Sequence, residues 1–412
     1  MAALSIVDVS LADGRVLDVV VEDEQVVAVG PGEGGGIRDT VDAAGGLLLP
    51  AFVDIHVHLD KVLIRDQLVE HDGTLQGAID AIHAAKRSYD VQDVRRRARA
   101  VIESSVLTGT TRLRSHVDID TIGGLVPLEG VLAAARDCAP IAEVQVVAFP
   151  QEGILRDPGA AELMVTAMEN GATVVGGMPH WESDEDSQRE HVRFCFELAE
   201  RFDADVDMHV DETDDGSVRT LAMVVEETER RGWFDRVTVG HVCALSAADD
   251  DYAERVIAGC ARAGITVVSN PVTNLVLQGR GDTGLVRRGT TRVRELMAAG
   301  VPVAFGQDCV KDGFYPFGRG DLLEVALISA HAAHLTTVAE QHAALAAVTA
   351  VPARAWRHGP AYGIEVGARA DLQLYAAPTW PEALRLQDPP RQVWFRGRLV
   401  GETTVTRGLV TP

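Results

Sequence analysis

Two histidines, His56 and His58, flank a single valine at the end of the apolar run 47–55. If that run is a β-strand, residues two apart point to the same face, and both imidazoles project together. Two converging imidazoles make half of a metal site, although such a pair also arises by chance. Three later segments also finish on a His, Asp or Glu, namely 206–212, 237–241 and 301–308. We therefore expect the ends of several strands to meet at one active site, at the mouth of the fold.

A metal at this mouth would have three imidazoles and one carboxylate as ligands, from His56, His58, His209 and Asp308. This donor set suits Zn²⁺ or Fe²⁺, also admits Mn²⁺, and is poor for Ca²⁺ or Mg²⁺. A water on such an ion has its pKa lowered toward ~7 and supplies hydroxide at neutral pH. The donor set therefore predicts hydrolytic chemistry.

Two further residues are candidates for proton transfer. His241 fits two roles, a further imidazole near the metal or an acid–base group that orients water. Glu212 falls three residues after His209, just beyond the strand. A carboxylate placed there can carry a proton from water to a leaving nitrogen. No His-x-Glu followed by Pro-Cys-x-x-Cys occurs, which excludes the compact zinc-deaminase fold.

From residue 47 onward, strand-like and helix-like segments alternate. The other predicted strands are 111–119, 143–149, 173–178 and 265–269. The predicted helices are 91–107, 160–170, 187–201, 217–231, 249–263 and 293–299. Eight strands alternating with helices predict a (β/α)8 TIM-like barrel, in which active sites lie at the C-terminal ends of the strands. The His, Asp and Glu candidates fall at those ends.

The two ends of the chain have a different pattern. Short β-prone runs occupy 4–11, 16–21 and 26–29, and the chain returns to β-prone runs at 371–375 and 392–400. We predict that residues 1–46 and 360–412 form a composite β-sandwich domain, and that residues 47–359 form the barrel.

The composition narrows the class of protein. The chain has 412 residues, 46% hydrophobic and 24% charged, as in a globular protein with a large core. No apolar stretch reaches the roughly 20 residues of a membrane helix, and no signal-peptide pattern opens the sequence. A net charge of −23 without a basic block disfavours binding to a nucleic acid polymer. Five widely spaced cysteines fit reduced thiols. We expect a cytoplasmic protein that binds neither membranes nor nucleic acid polymers.

Four segments resemble the amidohydrolase superfamily, and within it the cytosine deaminase branch, which includes N-isopropylammelide aminohydrolase and related enzymes. They are 49–60, 148–154, 209–215 and 270–280. The first is shared across the superfamily, whereas Gln151 and the run 278–280 are far more diagnostic. The similarity extends over nearly the whole chain, including the flanking β-sandwich.

The resemblance implies one set of metal ligands, which are His56, His58, His209 and Asp308. It also implies that Glu212 shuttles a proton to the ring nitrogen and that His241 positions and helps activate the water. Asp308 would accept a proton from the attacking hydroxide. Gln151 would bind the ring's carbonyl and adjacent N–H, because a side-chain amide offers both a donor and an acceptor. Binuclear relatives bridge two metals with a carboxylated lysine on the fourth strand. Segment 173–180 has no lysine, so we predict one metal. The resemblance also implies a homo-oligomer.

Two positions depart from the family pattern and make the substrate uncertain. Cys309 stands where cytosine deaminases carry a second aspartate near the substrate's amino group, and Phe314 stands where they tend to have tryptophan. A thiol is a weak hydrogen-bonding group and is uncharged near neutral pH unless perturbed. Such a pocket should bind cytosine less well or prefer another ring. Cys309 and Phe314 are therefore expected, with Gln151, to contact the substrate.

The predicted function is deamination of a small nitrogen heterocycle, cytosine or a close pyrimidine analogue. Metal-bound hydroxide would attack the amino-bearing ring carbon, and ammonia would leave. One alternative is removal of an alkylamine from a triazine-type ring, which a less polar pocket would favour. Another is a non-catalytic amidohydrolase-like assembly protein, although such proteins usually lose the metal ligands that are retained here.

Several other residues have no assigned chemistry. Lys61, His116 and His180 fit a pocket-lining role and a structural role. The remaining histidines fit surface or packing roles better, and they are His71, His83, His191, His331, His334, His342 and His358. Cys309 lacks a dedicated base–orienter pair, so it is expected to shape the pocket rather than act as a nucleophile. The acidic runs 183–186 and 249–251 are expected to start helices, where carboxylates suit the helix dipole.

Overall fold

The computed structural model describes residues 3–69, 75–357 and 361–410 and contains an eight-stranded barrel beside two four-stranded sheets. His71 and His358 lie outside the described residues. The strands before the barrel are β1 Leu4–Ser10, β2 Val16–Glu22, β3 Gln25–Gly30, β4 Asp39–Asp42 and β5 Leu48–Pro50. The barrel strands are β6 Phe52–Val57, β7 Thr110–Asp118, β8 Glu143–Phe149, β9 Val174–Gly177, β10 Asp205–Val210, β11 Val237–His241, β12 Thr266–Ser269 and β13 Val303–Phe305. The last strands are β14 Leu372–Leu374, β15 Gln392–Phe395 and β16 Arg398–Glu402.

The barrel strands follow chain order from β6 to β13, and each neighbouring pair is parallel. The barrel closes between its first and last strands, where Val57 bridges Asp308. There the backbone N–H of Asp308 donates to the carbonyl of His56 at 2.7 Å. The prediction of a (β/α)8 barrel is confirmed. Parallel strands are covered on both faces and therefore read as apolar runs, which is why these segments stand out in the sequence.

Helices alternate with the barrel strands and extend beyond them. They are α1 Leu75–Lys86, α2 Val91–Leu107, α3 Val126–Cys138, α4 Ala160–Glu169, α5 Glu185–Phe202, α6 Thr220–Arg231, α7 Asp250–Ala263, α8 Pro271–Leu277, α9 Val293–Ala298, α10 Leu322–Ala332, α11 Val338–Val348, α12 Ala350–Ala355 and α13 Trp380–Leu386. The two acidic runs do start helices, because Asp184 caps α5 and Asp249 caps α7 through backbone N–H groups. Among the described helices, none combines the length and the apolar surface needed to cross a bilayer.

The two small sheets share one hydrophobic core. The N-terminal sheet has the order β3-β2-β1-β4, and the other sheet has the order β16-β15-β14-β5. Ile6 and Val19 from the first sheet pack with Leu372 and Trp394 from the second. The expected β-sandwich from the two ends of the chain is thus present. Strand β4 was not expected, and β5 lies just after the predicted boundary at residue 47, so the domain limits stay a prediction.

A buried ion-pair cluster joins the barrel to the sandwich. The carboxylate of Asp371, next to β14, lies 3.3 Å from the guanidinium of Arg112 on β7 and accepts from Nε of Arg369 at 2.7 Å. It also accepts from the backbone N–H of Arg396 at 3.0 Å. All three charged side chains are buried. Glu143 also pairs with Arg369 at 2.8 Å, but it is partly exposed, so Asp371 is the buried carboxylate that balances these two cations.

We predict that Asp371→Ala lowers the free energy of unfolding by roughly 3 kcal/mol, because removing one partner leaves buried charge uncompensated. Urea denaturation followed by circular dichroism would measure it. The control is Asp13→Ala, whose carboxylate pairs with Arg15 on the exposed surface and should leave the unfolding curve unchanged. Equal curves for the two variants would contradict this account.

Candidate active site

Side chains from four barrel strands meet at the C-terminal mouth. His56 of β6, His209 of β10, His241 of β11 and Asp308 just past β13 place one ligand atom each within 4.8 Å of one another. His58 joins them, with its Nε2 at 3.1 Å from Nε2 of His209 and 3.3 Å from the Asp308 carboxylate. All five residues are buried. The structure thus brings together every residue that the sequence predicted as a metal ligand, and His241 with them.

The hydrogen bonds of His58 show that this cluster fits a cation. Its Nδ1–H donates to the carbonyl of His116 at 3.0 Å, so Nε2 of the neutral ring carries a lone pair. Burial lowers the pKa of His58 to about 4 and the pKa values of His56 and His209 well below their usual range, so these rings are neutral. A lone pair and a carboxylate oxygen 3.3 Å apart repel each other, and a bound cation removes that repulsion.

Two neighbouring sets of residues also have the geometry to hold a metal, but arginine or lysine side chains already balance their carboxylates. Asp207, grouped with His56 and His116, pairs with Arg114 at 2.8 Å. Asp118, grouped with His58 and Asp60, pairs with Lys61 at 2.7 Å and with Lys86 at 2.6 Å. Among the described residues, Asp308 has only histidines as ion-pair partners. The cluster around Asp308 is therefore the one suited to a divalent ion.

His116 supports the cluster from below rather than lining the cavity. Its Nε2 lies 3.1 Å from the carboxylate of Asp207, and its ring lies 4.3 Å from that of His56 between centroids. Its carbonyl receives the His58 bond. The Asp207 carboxylate is held in turn by Arg114. This chain of contacts fixes the orientation of two imidazoles, which is the usual role of groups behind metal ligands.

Glu212 and His241, the two residues predicted to transfer protons, lie next to each other at the site. Oε1 of Glu212 accepts from Nδ2 of Asn274 at 2.9 Å and lies 3.2 Å from Nδ1 of His241. Nδ1 of His241 also lies 3.1 Å from Oδ1 of Asn274. With two acceptors beside it, Nδ1 carries the hydrogen and Nε2 is left with a lone pair. Burial raises the pKa of Glu212, so this carboxylate accepts a proton more readily than an exposed one.

The backbone is strained where these strands end. Asp211, His241 and Asp308 have φ angles of 52°, 70° and 63°, in the left-handed region that residues other than glycine rarely adopt. Each such residue costs about 1 kcal/mol or more, which the surrounding contacts must offset. The strain lies at or next to residues that hold the cluster. The fold therefore turns the chain sharply to aim these side chains.

A cavity of about 240 Å³ opens above the cluster. Its polar lining includes His58, Lys61, Gln151, Glu152, His180, His209, Glu212, Gln278 and Asp308. Its less polar lining includes Ile79, Ile82, Met178, Trp181, Leu277, Cys309 and Phe314. The three residues predicted to bind substrate, Gln151, Cys309 and Phe314, all lie on this wall. A concave, largely apolar cavity with a few convergent polar groups is typical of small-ligand sites.

The thiol of Cys309 is buried beside the metal ligands. Its Sγ lies 3.6 Å from Oδ1 of Asp308, and burial raises the pKa of the thiol well above its usual range. A neutral thiol is a poor nucleophile, so the geometry favours the pocket-shaping role. Phe314 packs against the apolar patch of Ile64, Leu68 and Ile82. Together they make this part of the wall uncharged.

Several residues at the site were not assigned from the sequence. Lys86 and Asn274 carried no signal of their own, although Asn274 lies inside a segment used for the family resemblance. His83 was expected in a surface or packing role, and the structure places it on the cavity lining, 2.7 Å from Glu152. His180 also lines it, and burial lowers its pKa to about 3.

His191 was another histidine expected in a surface or packing role. It is buried, and its ring lies 2.8 Å from the carboxylate of Glu182. That carboxylate accepts hydrogen bonds from the backbone N–H groups of Ile154, Leu155 and Arg156. It thereby helps to fix the loop that carries Gln151.

Comparison with known proteins agrees with this geometry. Residues 131–401 match the amidohydrolase family. A pterin deaminase of Rhizobium rhizogenes is 32% identical over 397 residues, 95% of this chain and 87% of that protein. A 5-methylcytosine deaminase of Klebsiella pneumoniae, liganded with 5-fluorocytosine, has a TM-score of 0.93 and 34% identity, covering 98% of this chain and 99% of that one. N-isopropylammelide isopropylaminohydrolase of Burkholderia multivorans has a TM-score of 0.85 and 29% identity, covering 98% and 99%.

The chain belongs to the amidohydrolase family and is a hydrolase acting on carbon–nitrogen bonds. The resemblance to the cytosine deaminase branch is confirmed. The non-catalytic assembly protein is therefore set aside. The family uses a divalent metal, and the cluster around Asp308 has the ligands to hold one.

We predict that Gly240→Ala lowers metal affinity at least tenfold, because a Cβ at this position would lie 2.6 Å from Cε1 of His56 and displace the ring. Metal content by mass spectrometry and competition with a chelator would measure it. Gly281→Ala is the control, since a Cβ there meets nothing within 4 Å. Wild-type affinity in the Gly240 variant would show that His56 is not a ligand.

Proposed function

We propose that this protein is a metal-dependent deaminase of a cytosine-type pyrimidine with a substituent at ring position 5. The observation that carries the proposal is the buried Glu212 carboxylate, paired with His241 on the wall of a cavity beside a cation-binding cluster. A small heterocycle fits the size and lining of that cavity. The relatives named as pterin deaminase and 5-methylcytosine deaminase support removal of a ring amino group.

The proposed residue roles follow from the contacts. His56, His58, His209 and Asp308 would hold one divalent ion, Zn²⁺ or Fe²⁺. When bound, such an ion lowers the pKa of a water toward ~7. His241 orients that water, and Asp308 accepts one of its protons. Glu212 would take the other proton of that water and deliver it to the ring nitrogen as the water oxygen adds to the amino-bearing carbon. The proton held by Asp308 would pass to the amino group, and the carbon–nitrogen bond would break to release ammonia.

The uncharged wall supports a substituted ring. Cys309 offers no charged acceptor, and Phe314 and Ile82 offer apolar surface. A methyl or larger group at position 5 would bury apolar area there, at about 0.8 kcal/mol per buried methylene-sized group. The 5-methylcytosine deaminase of Klebsiella, 34% identical, supports the same choice.

A second candidate is removal of an alkylamine from a triazine-type ring. The apolar side chains of Ile79, Trp181 and Leu277 on the cavity wall favour it, because an alkyl substituent could pack there. The N-isopropylammelide isopropylaminohydrolase of Burkholderia, 29% identical, supports it as well. The two candidates differ in the leaving group.

The test is release of ammonia or alkylamine by metal-loaded protein from cytosine, 5-methylcytosine, isocytosine, pterin and N-isopropylammelide. We expect the highest kcat/KM for 5-methylcytosine, and a loss of roughly 10²–10⁴-fold in Glu212→Gln with metal retained. The exposed Glu185→Gln is the control and should match wild type. Isopropylamine as the sole product would select the second candidate. Full turnover in Glu212→Gln would contradict the proton-transfer role.

The acidic limb of the pH profile offers a separate check on Glu212. The carboxylate must be ionised to take a proton from water, so kcat/KM falls as the pH drops through its raised pKa. Asn274 donates to this carboxylate and lowers its pKa. We predict that Asn274→Ala raises the pKa further and moves the acidic limb to higher pH. The surface variant Asn170→Ala should leave the limb in place, and an unmoved limb in Asn274→Ala would contradict the prediction.

A further inference from the structure

Lys61 is a buried lysine whose ammonium reaches the cavity wall. Its Nζ donates to Oδ1 of Asp118 at 2.7 Å and to Oε1 of Gln151 at 3.0 Å. Burial would lower the pKa of Lys61, but the charges of Asp118 and Asp60 raise it above its usual value. The side chain therefore stays an ammonium, with three donors and no acceptor.

The backbone on both sides of Lys61 is fixed. Arg97 on α2 donates from its guanidinium to the carbonyl of Asp60 at 2.9 Å and to that of Val62 at 2.7 Å. Lys61 and Lys86 use different oxygens of Asp118, because Lys61 pairs with Oδ1 and Lys86 pairs with Oδ2. The ammonium of Lys61 thus has little freedom to move relative to the cavity.

This arrangement fixes the orientation of the Gln151 side-chain amide. A flipped amide would place its NH₂ group against the ammonium, two sets of donors without an acceptor. The oxygen therefore faces Lys61, and Nε2 is left 3.4 Å from Sδ of Met178, a weak acceptor. Both Gln151 and Met178 line the cavity. The N–H groups of Gln151 are consequently available to a ligand.

We propose that Lys61 is a positioning residue that fixes the Gln151 amide with its NH₂ toward the cavity, so that the site selects rings carrying a carbonyl at that position over rings carrying an amino group. This inference rests on the proposed function for the class of ligand. It refines the expectation that Gln151 offers a donor and an acceptor equally. A ring that would place a donor opposite the N–H groups of Gln151 leaves both donors unpaired, and it therefore binds much more weakly.

The test compares two ring ligands, cytosine with a 2-oxo group beside an N1–H and 2,4-diaminopyrimidine with a 2-amino group beside an N1 that carries no hydrogen. Dissociation constants are measured by calorimetry in a metal-loaded Glu212→Gln background, which separates binding from turnover. We expect cytosine to bind at least tenfold more tightly, and we expect that preference to shrink to about twofold or less in Lys61→Met, where the amide can flip. Lys61→Arg, which keeps a donor-only cation, should restore most of it.

Lys86→Met is the matched control. It removes a second ammonium from the same Asp118 carboxylate without touching Gln151, so a general effect of lost charge would appear there too. We expect it to keep the ligand preference. If Lys61→Met does not fold, Gln151→Glu serves instead, because a carboxylate still accepts from Lys61 but has no N–H for the ring. The preference for cytosine should then disappear.

The outcomes separate the two proposals. A preference that persists in Lys61→Met or in Gln151→Glu overturns the role of Lys61, whatever the activity of the wild type. Loss of preference in Lys86→Met to the same extent also overturns it. Binding with the expected preference but without ring-amine turnover by the wild type sinks the proposed function alone. No binding of either ring contradicts both.

Discussion

Asp308 links the fold to the chemistry, because one residue both closes the barrel and completes the ligand set. Its backbone N–H and C=O bond the carbonyl of His56 and the N–H of His58, which joins the last strand to the first. Its side chain lies at the centre of the buried imidazoles. A left-handed backbone at this position serves both tasks. Displacing Asp308 would therefore disturb the barrel seam and the ligand cluster together, and the metal ligands cannot be positioned unless the barrel closes.

The pairing of charges at the barrel mouth explains which of the three clusters of possible ligands is suited to a metal ion. Buried carboxylates cost free energy unless they are paired, and here Arg114 pairs with Asp207 while Lys61 and Lys86 pair with Asp118. Asp308 instead faces neutral imidazoles, whose pKa values burial has lowered. The protein thus balances Asp207 and Asp118 with its own cations, whereas Asp308 faces neutral rings and is free to share a bound cation with them. That difference, rather than the number of ligands, distinguishes a metal site from a structural ion-pair network.

The sequence predicted the parts of the molecule that depend on local pattern. Apolar runs ending on a His, Asp or Glu located the barrel strands, and the same runs indicated His56, His209, His241 and Asp308. Contacts between distant segments could not be predicted, because no local pattern records them. Lys86 lies on a helix 32 residues before its partner Asp118 in β7, and only the closed barrel brings the two together. His191 was expected in a surface or packing role, and nothing near it in the sequence indicates that its buried side chain reaches Glu182.

The choice of ring is separable from the chemistry that acts on it. Structures named for 5-methylcytosine deaminase and N-isopropylammelide isopropylaminohydrolase share this barrel, so we infer that side chains on the cavity wall, rather than the strand ends, select the ring. In this chain the wall beside Asp308 carries a neutral thiol, which can neither attract nor repel a substrate amino group strongly. In the proposed role of Lys61, discrimination between polar rings falls to Gln151, whose amide has one orientation only if a fixed donor such as Lys61 holds it. A buried ion-pair network therefore matters to specificity, although none of its charges needs to touch the substrate.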